Sequence, residues 1–275
     1  MSGRLISKPP PQRPVTLDDD PRMAYAISQI LADFGDNVSV AAKKKILRKF
    51  GRSDDIDTGS FKEVWMNTTI AEETLVASDL IDTISSSSAG DTQAVTIEGH
   101  TISGSDLTFV SQAATLNGQT KVVLATPLAR STRIFNNSAT DFAGDVAVYE
   151  DTAIVAGVPT DKTKVHLLVS IGKNQSEKCT TSISSVDYWI LTSLHAGVLT
   201  KTAATAEFEL QVRLSGKVFR NIHDFSANSS SGTIELLLDP YIIVPKNSDV
   251  RMRATSSANN TEVEAGMNGY LAIVQ

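Results

Sequence analysis

Residues 60–275 are dominated by short runs in which apolar and polar side chains alternate. Examples are "AVTIEG" at 94–99, "EFELQVRLSG" at 207–216 and "DVRMRAT" at 249–255, with turn-forming stretches such as "LNGQ" and "ANSSSG" between such runs. A period of two places successive side chains on opposite faces of a β-strand. No long amphipathic helical pattern interrupts the runs, so we predict a mainly β chain built of antiparallel β-sandwich or jelly-roll units.

Turn signals within this region suggest how the strands are grouped. Asn117 and Gly118 lie between two apolar runs and predict a two-residue hairpin. The stretch "AIVAGVPTDKTK" at 153–164 separates two strand-rich blocks. We therefore predict a first β unit over residues 53–157 and a second β-sandwich unit, jelly-roll-like, over residues 158–275. One large sandwich is the alternative.

Residues 1–52 have a different pattern and are predicted to form a separate N-terminal segment. Prolines at 9–11 and 14 favour an extended arm over residues 1–20. Asp20 and Pro21 suit the start of a helix, and apolar residues over 23–34 recur at helical spacing. A second helix is predicted from Ser39 to Gly51, with an apolar face formed by Val40, Ile46, Leu47 and Phe50. The two helices would form a short helical hairpin.

Charge is distributed unevenly along the chain. Residues 1–52 hold ten Lys and Arg against five Asp, a net charge of +5, whereas residues 53–275 hold fifteen against twenty-six, a net charge of −11. A basic segment on an acidic body predicts that this segment binds an acidic protein surface, because the body would repel nucleic acid phosphates. The candidate partner-binding residues are Arg4, Lys8, Arg13, Lys43, Lys44, Lys45, Arg48 and Lys49.

The sequence shows no pattern typical of a catalytic or metal site. The histidines at 100, 166, 195 and 223 lie apart, and we interpret them as structural residues. Cys179 is the only cysteine, which excludes a disulfide framework within the chain. The stretch "DDIDTGS" at 54–60 resembles only the opening of a calcium loop, so a hydrogen-bonded loop is the preferred interpretation. We predict a protein that is not an enzyme and binds no cofactor or metal.

Membrane attachment is also not predicted. No stretch approaches the roughly 20 apolar residues needed to cross a bilayer, and the N-terminus has no apolar run typical of a signal sequence. We therefore expect assembly in a host cytoplasm and no membrane partner.

Several motifs resemble a known family. They are Asp55-Ile56-Asp57-Thr58, Trp65, the serine-rich turn from Ser87 to Thr92, the strand from Val95 to Gly99, "TLNGQT" at 115–120 and the C-terminal stretch 249–274. Together they resemble a family of virion proteins from marine tailed bacteriophages, over most of residues 45–275. The resemblance implies a structural protein located in the virion.

Two roles within the virion fit this interpretation. The preferred one is a capsid decoration or cement protein, whose N-terminal arm docks on the major capsid protein or other virion proteins and which forms a homo-oligomer, by analogy a trimer. The alternative is a tail- or neck-associated protein, such as a fibre or adaptor, in which Tyr188, Trp189 and Tyr241 could stack on host glycans, although "VDYWILT" also fits a buried strand. Deleting residues 1–50 is expected to leave the β region folded and to abolish attachment to particles.

Overall fold

The computed structural model describes residues 45–200 and 203–273. The predicted N-terminal arm, the first predicted helix and the candidate residues Arg4, Lys8, Arg13, Lys43 and Lys44 lie outside the described residues. Within the described part of the chain, almost all regular structure is β-strand. This confirms the prediction of a mainly β, antiparallel protein.

The strands are as follows, in chain order. They are β1 (Lys45–Ile56), β2 (Lys62–Glu63), β3 (Ile81–Ser86), β4 (Ala94–Ser103), β5 (Asp106–Thr115), β6 (Val122–Leu128), β7 (Arg130–Asn136), β8 (Val146–Glu150), β9 (Ile154–Val155), β10 (Val158–Pro159), β11 (Val165–Val169), β12 (Thr180–Ile183), β13 (Asp187–Val198), β14 (Thr205–Leu214), β15 (Arg220–Asn228), β16 (Ile234–Val244), β17 (Ser248–Ser256) and β18 (Thr261–Ile273). A short 3-10 helix, Lys162–Lys164, precedes β11.

Two sheets pack face to face to form the larger sandwich. One has the strand order β1-β18-β13-β16, and the other has the order β12-β17-β14-β15, with β2 paired to β17. Strand β14 shows why the sequence folds this way, since Ala206, Phe208 and Leu210 are buried while Glu207 is exposed. The buried side chains of both sheets form one continuous hydrophobic cluster.

A smaller core is inserted into this sandwich. It joins the sheet β11-β8-β3-β6 to the three-stranded sheet β5-β4-β7, and its hydrophobic cluster runs from Val76 to Val169. These residues lie in sequence between β1 and β12, which both belong to the larger sandwich. The chain leaves and returns at Trp65 and Lys178, which form an isolated antiparallel bridge.

The strand pairing does not follow the predicted boundary at residue 157. Strand β11 lies beyond that boundary but pairs with β8, and β1 pairs with β18 at the other end of the chain. The pairing of β1 with β18 joins residues far apart in sequence, which turn signals do not reveal. The assignment of independently folding domains stays a prediction.

The second predicted helix is wrong where the structure describes it, because Lys45–Ile56 is a strand paired with β18. Ile46 and Phe50 are four residues apart, a spacing that fits one face of a helix and also one face of a strand. The spacing therefore could not distinguish the two structures. Gly51 is not a helix terminus but lies where a Cβ atom would come 2.3 Å from the carbonyl oxygen of Val64.

The predicted hairpin at Asn117 and Gly118 is also wrong. A tight turn does form there, with the Thr120 amide donating to the Asn117 carbonyl at 3.0 Å and Gly118 at a φ of 55°. However, the flanking strands β5 and β6 pair with β4 and β3, respectively. The turn connects two sheets instead of joining two paired strands.

Candidate docking site at strand β1

Strand β1 presents a mixed apolar and cationic outer face. Ile46 is 57% exposed and Phe50 is 38% exposed, while Arg48 lies between them and is also exposed. Among the described strands, only β18 pairs with β1, so β1 is an edge strand with one free side. Exposed edges of this kind accept additional strands.

A cleft of about 590 Å³ runs along β1, between the larger sandwich and the smaller core. The five consecutive residues from Lys45 to Lys49 all line it. Leu271 of β18, the pairing partner of Lys45, lines it as well, so the cleft extends along β1 and over its pairing with β18.

The smaller core supplies the facing wall of this cleft. Phe109 of β5 is 42% exposed, His100 of β4 packs edge-on against it at 5.6 Å between ring centroids, and the Lys45 ammonium lies 4.9 Å from the Phe109 ring centroid. The remaining lining residues include Glu98, Thr132, Arg133, Thr181, Ser182, Ile183, Ser184, Val186, Asp187 and Leu271.

Lys49 differs from the other cations of β1 because its side chain is buried, with 7% exposure. Its ammonium donates a hydrogen bond to the Thr132 carbonyl oxygen, and no described carboxylate lies within ion-pair distance of it. Burial lowers the pKa of Lys49 to about 7, and the neighbouring cation Lys178 contributes to the lowering.

His100 is the second polar group of the cleft with incomplete hydrogen bonding. It is 4% exposed, and its Nδ1 has no hydrogen-bond partner among the described residues. Burial lowers the pKa of His100 to about 4, with Arg130 and Lys49 adding to the effect and Asp249 opposing it. The imidazole is therefore neutral near pH 7.

The charge of the cleft is predominantly positive. Its lining residues include the cations Lys45, Arg48, Lys49 and Arg133 and the carboxylates Glu98 and Asp187. The Asp187 carboxylate accepts a hydrogen bond from the Ser184 hydroxyl at 2.5 Å. The structure thus brings together three of the predicted partner-binding residues, Lys45, Arg48 and Lys49, although Lys49 points inward.

A buried ion pair connects the larger sandwich to the smaller core. Asp249 of β17 binds Arg130 of β7 at 2.9 Å and Arg213 of β14 at 3.0 Å. These residues belong to both cores, and sequence reasoning missed them. The alternation in "DVRMRAT" places Asp249, Arg251 and Arg253 on the face opposite to Val250 and Met252, which lie in the sandwich interior, but it does not show that this polar face is covered.

A second buried cluster surrounds Glu73. Its carboxylate lies 2.7 Å from the Lys178 ammonium and 2.8 Å from His166 Nδ1, and His166 Nε2 lies 3.0 Å from Glu150. Although burial opposes it, Lys178 and His166 hold the pKa of Glu73 down at about 2. His166 is therefore buried and hydrogen-bonded, as the sequence analysis predicted.

The remaining sequence candidates take structural positions. The Lys62 ammonium lies 2.9 Å from Asp55 and 2.8 Å from Asp57, so two of the three carboxylates in the stretch 54–60 are ion-paired. Trp189 is fully buried, which is incompatible with stacking on a glycan.

The described residues contain no cluster of three or more His, Cys, Asp or Glu side chains placed to hold a metal ion. In the same part of the chain, no helix has the length and apolar character required to span a bilayer.

Comparisons with known proteins give little further information. No protein-family model matches the sequence, and no curated protein matches it. Among solved structures, that of the infectious bursal disease virus Gx strain has a TM-score of 0.22 and 10% sequence identity, covering 88% of this chain and 82% of that chain. The crystal structure of the infectious bursal disease virus VP2 subviral particle has a TM-score of 0.18 and 9% identity, covering 91% of this chain and 77% of that chain. Similarity at these TM-scores carries no argument about function.

Proposed function

We propose that this chain is a non-enzymatic structural protein of a virus particle, acting as a capsid decoration or cement protein. The observation that carries the proposal is the strand order of the larger sandwich. One sheet has the order β1-β18-β13-β16 and the opposing sheet has the order β12-β17-β14-β15.

This order supports a jelly roll. Eight strands divide equally between two sheets, the first and last strands are neighbours, and the connections β12–β13, β13–β14, β15–β16, β16–β17 and β17–β18 cross from one sheet to the other. Jelly rolls occur in viral capsid and lectin domains. The step from this fold to a virion role is an analogy, and it agrees with the motifs that resemble virion proteins of marine tailed bacteriophages.

The lectin interpretation, which would suit a tail-associated role, has less support. Trp189, a candidate for stacking on a sugar, is buried within the larger sandwich. The preferred role therefore remains attachment to a capsid, with the major capsid protein or another virion protein as the partner.

Strand β1 and its cleft are the proposed attachment site. Exposed ion pairs contribute only about 0–1 kcal/mol each, so Lys45 and Arg48 alone would bind weakly. The exposed apolar side chains Ile46, Phe50 and Phe109 supply additional area to bury against a partner. Association of several copies, proposed as a trimer, would strengthen attachment further.

Charge reversal at β1 tests this function. The double variant Lys45→Glu/Arg48→Glu is expected to attach to particles that lack the protein about tenfold more weakly than the native chain, since two attractive pairs become repulsive. Attachment is measured by co-sedimentation over a range of salt concentrations. The double variant Lys217→Glu/Arg220→Glu, which makes the same charge change at exposed positions elsewhere, serves as the matched control.

Equal attachment of both variants and the native chain would overturn the proposed site. Gold labelling of intact particles tests the location separately, and label confined to the tail would overturn the decoration role. A truncation test should end at residue 44, because a deletion reaching residue 50 would remove half of β1.

A further inference from the structure

The cleft beside β1 contains two buried polar groups whose hydrogen-bonding capacity the described residues do not fully use. The Lys49 ammonium has three donors, but the Thr132 carbonyl is its one hydrogen-bond acceptor among the described residues. His100 Nδ1, on the opposite wall, has no partner in the same part of the chain. A buried cation without a counter-charge is costly, so these groups suit a ligand that brings a negative charge.

We propose that this cleft is a receptor for an extended acidic peptide, in which one carboxylate of the peptide binds Lys49 while the peptide backbone adds to the free edge of β1. This inference rests on the proposed attachment function. In that function, the acidic peptide would be the segment of the virion partner that binds the cleft.

The shape of the cleft supports an extended peptide over a compact ligand. The cleft is lined by five consecutive residues of an edge strand, Lys45 to Lys49, so it offers an extended segment a length of strand to lie beside. A peptide that pairs with β1 would place alternate side chains on the face that Lys49 occupies. Phe109 and Leu271 provide apolar contacts for neighbouring side chains of the peptide.

The charges around Lys49 support an acidic peptide over a neutral one. The groups that act on Lys49 are Lys178 and Cys179 beside β12, Arg133 of β7 and Glu98 of β4. Two of these are cations, and the one carboxylate, Glu98, is not in ion-pair contact with Lys49. A carboxylate that enters the cleft would favour the charged form of Lys49 and would therefore bind together with a proton near neutral pH.

Peptide binding to the full-length protein tests the inference. The probes are a fluorescein-labelled peptide of Ser, Thr and Val with one central Glu, and the same peptide with Gln in place of Glu. Fluorescence anisotropy is expected to show about tenfold tighter binding of the Glu peptide at pH 6. Its affinity should fall by up to about tenfold for each pH unit above 7, because Lys49 then loses its proton in the free protein.

Variants assign the effect to Lys49. Lys49→Met is expected to lose both the preference for Glu and the dependence on pH, whereas Lys217→Met should bind both peptides as the native chain does. Circular dichroism checks that each variant is folded. Equal affinity for the two peptides, or unchanged selectivity in Lys49→Met, would overturn the inference.

Two further outcomes separate the inference from alternatives. Binding of inorganic phosphate to the native chain but not to Lys49→Met, without binding of either peptide, would assign the cleft to a free anion and overturn the peptide proposal. Normal attachment of Lys49→Met to particles, together with weak attachment of Lys45→Glu/Arg48→Glu, would reject the peptide receptor and leave the attachment function intact.

Discussion

Lys49 occupies an unusual environment for a lysine, because its ammonium is buried beside other cations and lacks a described carboxylate partner. The alternation along β1 places Arg48 and Phe50 outside and Lys49 inside. In the folded chain its pKa is about 7, whereas an unfolded lysine has a pKa of about 10.4. Lys49 therefore opposes folding most strongly when it is protonated.

This difference predicts how stability changes with pH. Between pH 7 and pH 9 the unfolded chain retains the Lys49 proton and the folded chain releases it, so the free energy of unfolding rises with pH, by about 2 kcal/mol over this range. Lys49→Met should remove this rise and should be more stable than the native chain at pH 6. Urea unfolding at each pH measures both effects.

The free energies of unfolding of Lys49→Met and the native chain are compared only up to pH 9 because Cys179 titrates at higher pH. Burial raises the pKa of the Cys179 thiol to about 12, whereas an unfolded cysteine has a pKa of about 8.5, so near and above pH 9 the unfolded chain loses this proton first and offsets the gain from Lys49. Lys217→Met, which removes an exposed amine, is the control and should keep the native pH dependence. A parallel pH dependence in Lys49→Met and the native chain would show that Lys49 is not the group responsible.

The sequence predicted the environment of some side chains better than that of others. The exposure of Lys45 and Arg48 follows from charge alone, since charged side chains are seldom buried without a partner. The burial of Lys49 could not be inferred while residues 39–51 were assigned to a helix. His166 was interpreted correctly as structural, but its partners Glu73 and Glu150 are distant in sequence.

Strand β1 is the element in which sequence pattern and structure disagree most. The spacing of apolar residues in this segment is compatible with a helix. The hydrogen-bonded pairing with β18 stabilises the strand instead. Gly51 is required by this arrangement, because β1 passes close to the backbone at Val64 and Cys179.

Gly51→Ala tests this close approach. A Cβ atom would lie 2.3 Å from the Val64 oxygen and 2.4 Å from the Cys179 nitrogen, so the backbone must shift. We expect a loss of about 1–3 kcal/mol in the free energy of unfolding, measured by urea denaturation.

Gly90→Ala provides the matched control for this substitution. A Cβ atom at Gly90 would meet only the Ser88 hydroxyl, at 3.7 Å, so little change is expected. Equal stability of the two variants would contradict the close packing of β1.

In strand β17, the burial of charged residues differs from what the sequence pattern predicts. Its charged residues Asp249 and Arg251 are buried, and they pair with Arg130 of the smaller core and with Glu63 of β2, respectively. An alternating strand at the surface of a sandwich normally exposes such residues. The sequence predicted the strand correctly but gave no indication that its polar face would be covered.

For the whole molecule, the two cores are linked by the buried charge pair of Asp249 and Arg130. Asp249 of the larger sandwich binds Arg130 of the smaller core and also accepts a hydrogen bond from the Ser182 hydroxyl at 2.6 Å. Breaking one such pair leaves the other charge buried and uncompensated. The two cores should therefore unfold together.

Asp249→Asn tests this coupling. The substitution leaves Arg130, which is 3% exposed, without its carboxylate, and we expect a loss of about 3–5 kcal/mol in the free energy of unfolding. Tryptophan fluorescence during urea unfolding reports on Trp65 and Trp189, and hydrogen exchange of β4 and β8 amides reports on the smaller core. The exposed substitution Asp224→Asn should have little effect. Separate transitions of the two cores in the native chain would contradict the coupling.

The overall architecture could be predicted only in part. Alternation along the chain is local, so the antiparallel β class was accessible from sequence. The pairing of β1 with β18 joins residues more than two hundred positions apart, for example Lys45 with Leu271, and no local signal encodes it. The insertion of the smaller core depends on that pairing and could not be inferred.

The bridge between Trp65 and Lys178 has a consequence for how such a protein can change. The inserted segment begins and ends at neighbouring positions. Its length can therefore vary without changing the distance between the two points at which it joins the larger sandwich. The inserted core could therefore be exchanged for another module at this junction, provided that the replacement supplies new partners for the ammonium of Lys178 and the carboxylate of Asp249.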